Sequence, residues 1–109
     1  MEAARRRQRL EALAEDVLAD RQLAADYARK KQENSDALHR LREQARRTRP
    51  GSRLATSTLS MGDFFLVVPT ATAQDMVAGA QRELEAAIGE VRQRLESNAR
   101  RLRELQSSA

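Results

Sequence analysis

The sequence predicts a mainly α fold with a small β element: a long antiparallel helical coiled coil joined by a β-hairpin. Three observations predict it. Residues 2–47 contain neither glycine nor proline and repeat apolar residues with heptad spacing. A short apolar run, Phe64-Phe65-Leu66-Val67-Val68, stands between Gly62 and Pro69. A second heptad pattern then extends from Val77 to Leu105. Composition agrees: of 109 residues, 33% are charged and only 3% aromatic, so a compact core of ordinary size is not expected. One domain is expected over 1–109, with helix 1 over about 2–47, the hairpin over about 53–68 and helix 2 over about 73–106.

In the first helix, seam position a falls at Leu10, Val17, Ala24, Lys31, Leu38 and Ala45, and position d at Leu13, Asp20, Tyr27, Asn34 and Leu41. Eight of these eleven are apolar, which matches a coiled-coil seam. Asp20, Lys31 and Asn34 are the exceptions, and polar seam residues fix register at some loss of stability. Acid-before-base spacings at Asp26/Lys30, Asp36/Arg40 and Glu43/Arg47 suit surface ion pairs worth about 0.3 kcal/mol each. At ~1.5 Å per residue the helix would be on the order of 65 Å long.

Pro50-Gly51 breaks the helical pattern. Residues 53–59 then alternate Leu54, Thr56 and Thr58 against Ala55, Ser57 and Leu59, as a strand does. Ser60-Met61-Gly62-Asp63 is the expected turn, with Gly62 free to adopt positive φ. The second strand, 64–68, places Phe64, Leu66 and Val68 on one face and Phe65 and Val67 on the other. A strand apolar on both faces needs cover above and below, and two charged helices offer little. The expectation is that other chains cover it, with Leu54 and Leu59 in support.

Pro69 is expected to end that strand, and Thr72-Ala73-Gln74-Asp75 has the form of a capping box with Thr72 as N-cap. The second seam reads Val77, Gln81, Leu84, Ile88, Val91, Leu95, Asn98, Leu102 and Leu105, seven of nine apolar. Gly79 and Gly89 lie outside it, and Glu90/Arg94 and Glu96/Arg100 are spaced as surface pairs. Laid antiparallel with Leu41 opposite Val77, the seams set Tyr27 against Val91, Leu13 against Leu105, and Asp20 against Asn98.

No catalytic, cofactor-binding or metal-binding residue is expected. His39 is the single histidine and lacks companion ligands, the four glycines are isolated, and the carboxylates spread along helix faces beside basic residues. There is no cysteine, in keeping with a cytoplasmic or nuclear setting. No apolar run follows the basic start, so no secretory signal is expected, and no window suits a membrane span. Net charge is +4, with basic clusters at Arg5, Arg6, Arg7, Arg9 and at Arg46, Arg47, Arg49, Arg53. These read first as solvated or acidic-partner surfaces, then as phosphate contacts or, for the first cluster, a nuclear signal. No aromatic is interleaved with either, so nucleic acid ranks low as a partner. Leu10, Leu13, Leu102 and Leu105 fall at the open end of the seam, where fraying would offer them to unfolded chains.

The residues Leu13-Ala14-Glu15-Asp16-Val17-Leu18-Ala19-Asp20, Lys31-Gln32-Glu33-Asn34 with Ala37, Leu38 and Leu41, and Gly62-Asp63-Phe64-Phe65-Leu66-Val67-Val68-Pro69 with Met76 and Val77 together resemble the β-type prefoldin subunit family. Within it, the likeness is to a prefoldin-like, DNA damage-regulated branch. The Arg5–Arg9 cluster stands outside the resemblance. What the resemblance implies is a non-enzymatic subunit of a hetero-oligomeric prefoldin-like chaperone or cochaperone complex that folds or assembles client proteins. Its hairpin would form a shared β base with α-type and other β-type subunits. A cochaperone built on RuvB-like ATPases and RNA polymerase assembly clients are further implied partners. The general cytosolic prefoldin hexamer, which delivers unfolded actin and tubulin to a chaperonin, is an alternative, and a basic coiled-coil adaptor for nucleic acid or acidic proteins is a second.

Overall fold

The computed structural model describes residues 1–47 and 56–107, with the backbone alone at Met61. The described chain is mostly helical: α1 (Glu2–Arg47), β1 (Thr56–Met61), β2 (Phe64–Pro69) and α2 (Thr70–Ser107) follow in order. Leu54, Arg49, Arg53 and the Pro50-Gly51 break lie outside the described residues. The fold is the helix, hairpin, helix arrangement expected. It divides into two compact units to which both helices contribute: 30–84, which includes the hairpin, and the remainder, 1–29 with 85–109.

Helix α1 is uninterrupted for 46 residues. Glu2 in its first turn and Arg46 and Arg47 in its last complement the helix dipole. Its seam faces inward where the heptad places it. Leu13, Val17 and Leu41 are buried, and Leu10, Ala24, Tyr27 and Leu38 are half-buried. Lys31 and Ala45, also at seam positions, are exposed. On α2 every expected seam residue is at least half-buried, and Val91 is the most enclosed large side chain, at 2% exposure.

In the unit of 1–29 and 85–109, the helices run antiparallel. Arg6 donates to the carbonyl of Leu105, and Arg94 Nη2 reaches Asp20 Oδ1 at 3.3 Å. Asp20 therefore meets Arg94 and not the expected Asn98. A guanidinium serves a carboxylate better than an amide does, and the long Arg94 side chain, half in solvent, spans to the seam. In the unit of 30–84, Gln81 Nε2 donates to the Lys31 carbonyl and to Ser35 Oγ, each at 3.1 Å, again across an antiparallel pair. Two of the polar seam residues, Asp20 and Gln81, thus act as cross-links between helices. The surface pairs differ from the expected i, i+4 spacings: Asp26 pairs with Arg29 and Glu43 with Arg46, both i, i+3.

The hairpin is tighter than the sequence reading. β1 continues through Ser60 and Met61, so the turn is Gly62-Asp63 alone, flanked by the pair Met61 and Phe64. Gly62 has φ +66°, and no other residue among those described has positive φ. Glycine at the first central position with an ordinary second residue is the pattern of a type II′ turn, whose twist suits paired strands. β2 includes Pro69, which at a strand end need not donate to the ladder. α2 begins at Thr70, so Thr72 lies inside the helix and is not its N-cap. The capping box fails because the helix already begins directly after Pro69, three residues before the expected Ala73.

Three stability outcomes follow. Val91→Ala should lower unfolding free energy by about 2 kcal/mol, measured by chemical denaturation. Gly89 is helical, exposed and has open space where a Cβ would sit, so Gly89→Ala should raise it by about 1 kcal/mol. Gly62→Val should cost at least ~1 kcal/mol while helical circular dichroism stays unchanged.

Candidate functional site

Strand pairing sorts the hairpin side chains into two faces. Ser57 and Leu59 stand opposite Val68 and Leu66, and Phe64 follows two residues before Leu66, so these five residues share one face. Thr56, Thr58 and Ser60 stand opposite Pro69, Val67 and Phe65 on the other.

The first face is turned to the chain's own helices at its root. Ser57 is buried, and Leu59, Leu66 and Val68 are half-buried. Gln44 of α1 anchors the root: its Nε2 donates to the Thr56 carbonyl at 2.9 Å, and its Oε1 accepts from Ser57 Oγ at 3.3 Å. Ser57 Oγ also lies 2.9 Å from Thr70 Oγ1. A serine hydroxyl has one proton, and Gln44 takes it, so Thr70 donates to Ser57. Thr70, at the start of α2, is 4% exposed. One polar chain therefore clamps the end of α1, the first strand and the start of α2.

This corrects part of the sequence reading. An apolar run on both faces predicts foreign cover on both; the chain itself leaves Leu66 and Val68 half-buried near the root. The Ser57, Thr70 and Gln44 clamp was missed, since no short sequence spacing links those three residues.

The other face stays open. Phe65 is 74% exposed and Val67 64%. At the hairpin tip, Phe64 shares the inner face yet is 60% exposed, beyond the reach of the root. Thr58 and Ser60 line the β1 side of the open face. The result is a sheet face that is apolar along β2 and hydroxylated along β1. Among the described residues the sheet has two strands, so both outer edges carry main-chain groups with no ladder partner among those residues.

The seam-end residues come together in the unit of 1–29 and 85–109. Leu13 is buried, whereas Leu10, Leu102 and Leu105 are half-buried. Leu13 could reach a client only if the helix ends parted. His39 is exposed on α1. Among the described residues no group of three His, Cys, Asp or Glu side chains could hold a metal ion, and no helix is long and apolar enough to cross a membrane.

Searches of family models, curated proteins and solved structures return no match to this chain.

The clamp yields a test of its own. Ser57→Ala should cost roughly 1–2 kcal/mol, because the Thr70 hydroxyl is left buried without its partner. Adding Thr70→Val should cost much less than Thr70→Val alone, which a double-mutant cycle followed by denaturation would reveal.

Proposed function

We propose that this protein is a non-enzymatic assembly subunit that contributes its hairpin to a β structure shared with other chains, in the manner of a β-type prefoldin subunit. The observation that carries the reading is the exposed apolar surface of the hairpin: Phe65 and Val67 on the open face and Phe64 at the tip are each at least 60% exposed on a described sheet of two strands. Enclosing a large apolar side chain is worth roughly 1.5–3 kcal/mol, so covering these three offers several kcal/mol toward association. Main-chain pairing along the free strand edges adds direction to that attraction. A rigid root suits this role, because a hairpin held by Gln44, Ser57 and Thr70 is ordered before it meets a partner.

On this reading the partners are α-type and other β-type prefoldin-like subunits, and the complex assists folding or assembly of client proteins. The work of the complex is in the cytoplasm, with the nucleus as a second site. The resemblance favours the branch that works with RuvB-like ATPases over the general prefoldin hexamer.

The face assignment decides which variant tests the proposal. Leu66 supports the hairpin from within, so Leu66→Asp would damage the hairpin as well as any interface. Phe65→Ser with Val67→Ser changes only the open face. Affinity purification of this pair variant from the native cell, with intact mass measured, should recover the chain without its partner subunits and with normal helical content. Recovery of an undiminished complex would show that the hairpin is not the interface.

A further inference from the structure

The fold gathers arginines that are distant in sequence. Arg5, Arg6, Arg7 and Arg9 lie near the start of α1, and Arg100, Arg101 and Arg103 near the end of α2. Both stretches belong to the same unit, and Arg6 joins them by donating to the Leu105 carbonyl. That carbonyl lies in the last turn of α2. A cation there also complements the helix dipole. The contact therefore holds the two arginine rows side by side.

The resulting patch is dense and one-sided. Over residues 1–10 and 100–107, seven arginines meet two carboxylates, Glu2 and Glu104, a net +5 against +4 for the whole chain. A second basic run, 40–53, sets six arginines against Glu43, so this patch is one of two places where the positive charge gathers. Apart from Arg6, all these arginines are exposed, and among the described residues none is ion-paired to a carboxylate. Arginine supplies every basic side chain of the patch; the two lysines, Lys30 and Lys31, are elsewhere. The guanidinium fork is suited to bidentate contact with carboxylates.

We propose that this arginine end binds acidic polypeptide segments. It is a second interaction surface, independent of the hairpin and of the assembly role proposed for it. Two features favour an acidic peptide over nucleic acid. No aromatic side chain stands among these residues to stack on bases. Half-exposed Leu10, Leu102 and Leu105 and the fully exposed Met1 lie among the arginines, ready for the apolar residues of an acidic segment.

The test is fluorescence anisotropy on the full chain with labelled oligoglutamate, and with oligothymidylate of matching charge as the competing class. Oligoglutamate should bind, more weakly as salt rises, and at equal salt more tightly than oligothymidylate. Replacing Arg5, Arg7, Arg9, Arg100, Arg101 and Arg103 by Gln should weaken that binding on the order of tenfold or more. Replacing Lys30, Arg40, Arg42, Arg46, Arg47 and Arg82 by Gln removes the same charge from the other unit and should change it by less than about twofold. Replacing each arginine row separately guards against loss of helix ends, checked by circular dichroism, and each should weaken binding about threefold. Absent binding, equal losses from the two six-residue variants, two silent row variants, or tighter binding of oligothymidylate would each overturn the proposal.

Discussion

A two-stranded sheet has two faces, and this chain has helix ends enough to close only one of them. That constraint orders the rest of the structure. The clamp from Gln44 through Ser57 to Thr70 draws one face toward α1 and α2. Leu59, Leu66 and Val68 follow it into partial burial. Phe65 and Val67 are then left outward by strand alternation, since successive side chains point to opposite faces. No rotation of the hairpin could bury both sets, because turning one face inward turns the other outward. A second layer over the open face would remove the conflict.

The helices solve a different problem. Neither has enough apolar surface to build a deep core, and few side chains in the described structure are fully enclosed. A narrow seam of this kind fixes that the helices pair but not where along their length. The polar cross-links supply position. Asp20 with Arg94, and Gln81 with the Lys31 carbonyl and Ser35, each have one geometry that satisfies them. Exposed pairs of this kind add little stability, about 1 kcal/mol or less, but a slipped register would leave a part-buried carboxylate or amide poorly served.

Much of this was legible in the sequence, and the parts that were not share a cause. The bounds of α1 could be read because the absence of glycine and proline over 2–47 is a local fact. The seam could be read because heptad spacing is local too. The start of α2 could not, since Thr72 offered a good capping pattern while Pro69 and Thr70 had already settled the chain. Ser60 and Met61 passed for turn residues until their pairing with Phe65 and Phe64 placed them in the ladder. At the hairpin, the apolar run announced a surface in need of cover, but not that Leu66 and Val68 would be partly covered by their own chain. Long-range hydrogen bonds decided that, and Gln44, Ser57 and Thr70 carry no pattern that announces them.

The two surfaces obey different physics, and this bears on how the molecule works. An apolar hairpin face gains by excluding water, and salt does not screen that gain. An arginine end gains by Coulomb attraction, which salt does screen within roughly 10 Å at ordinary ionic strength. Stable association belongs to the first kind of contact, while fast and reversible capture belongs to the second. On the reading proposed above, a complex held through Phe65 and Val67 would keep its hold while acidic chains came and went at the arginines. The division of the molecule into two compact units gives each kind of contact its own ground.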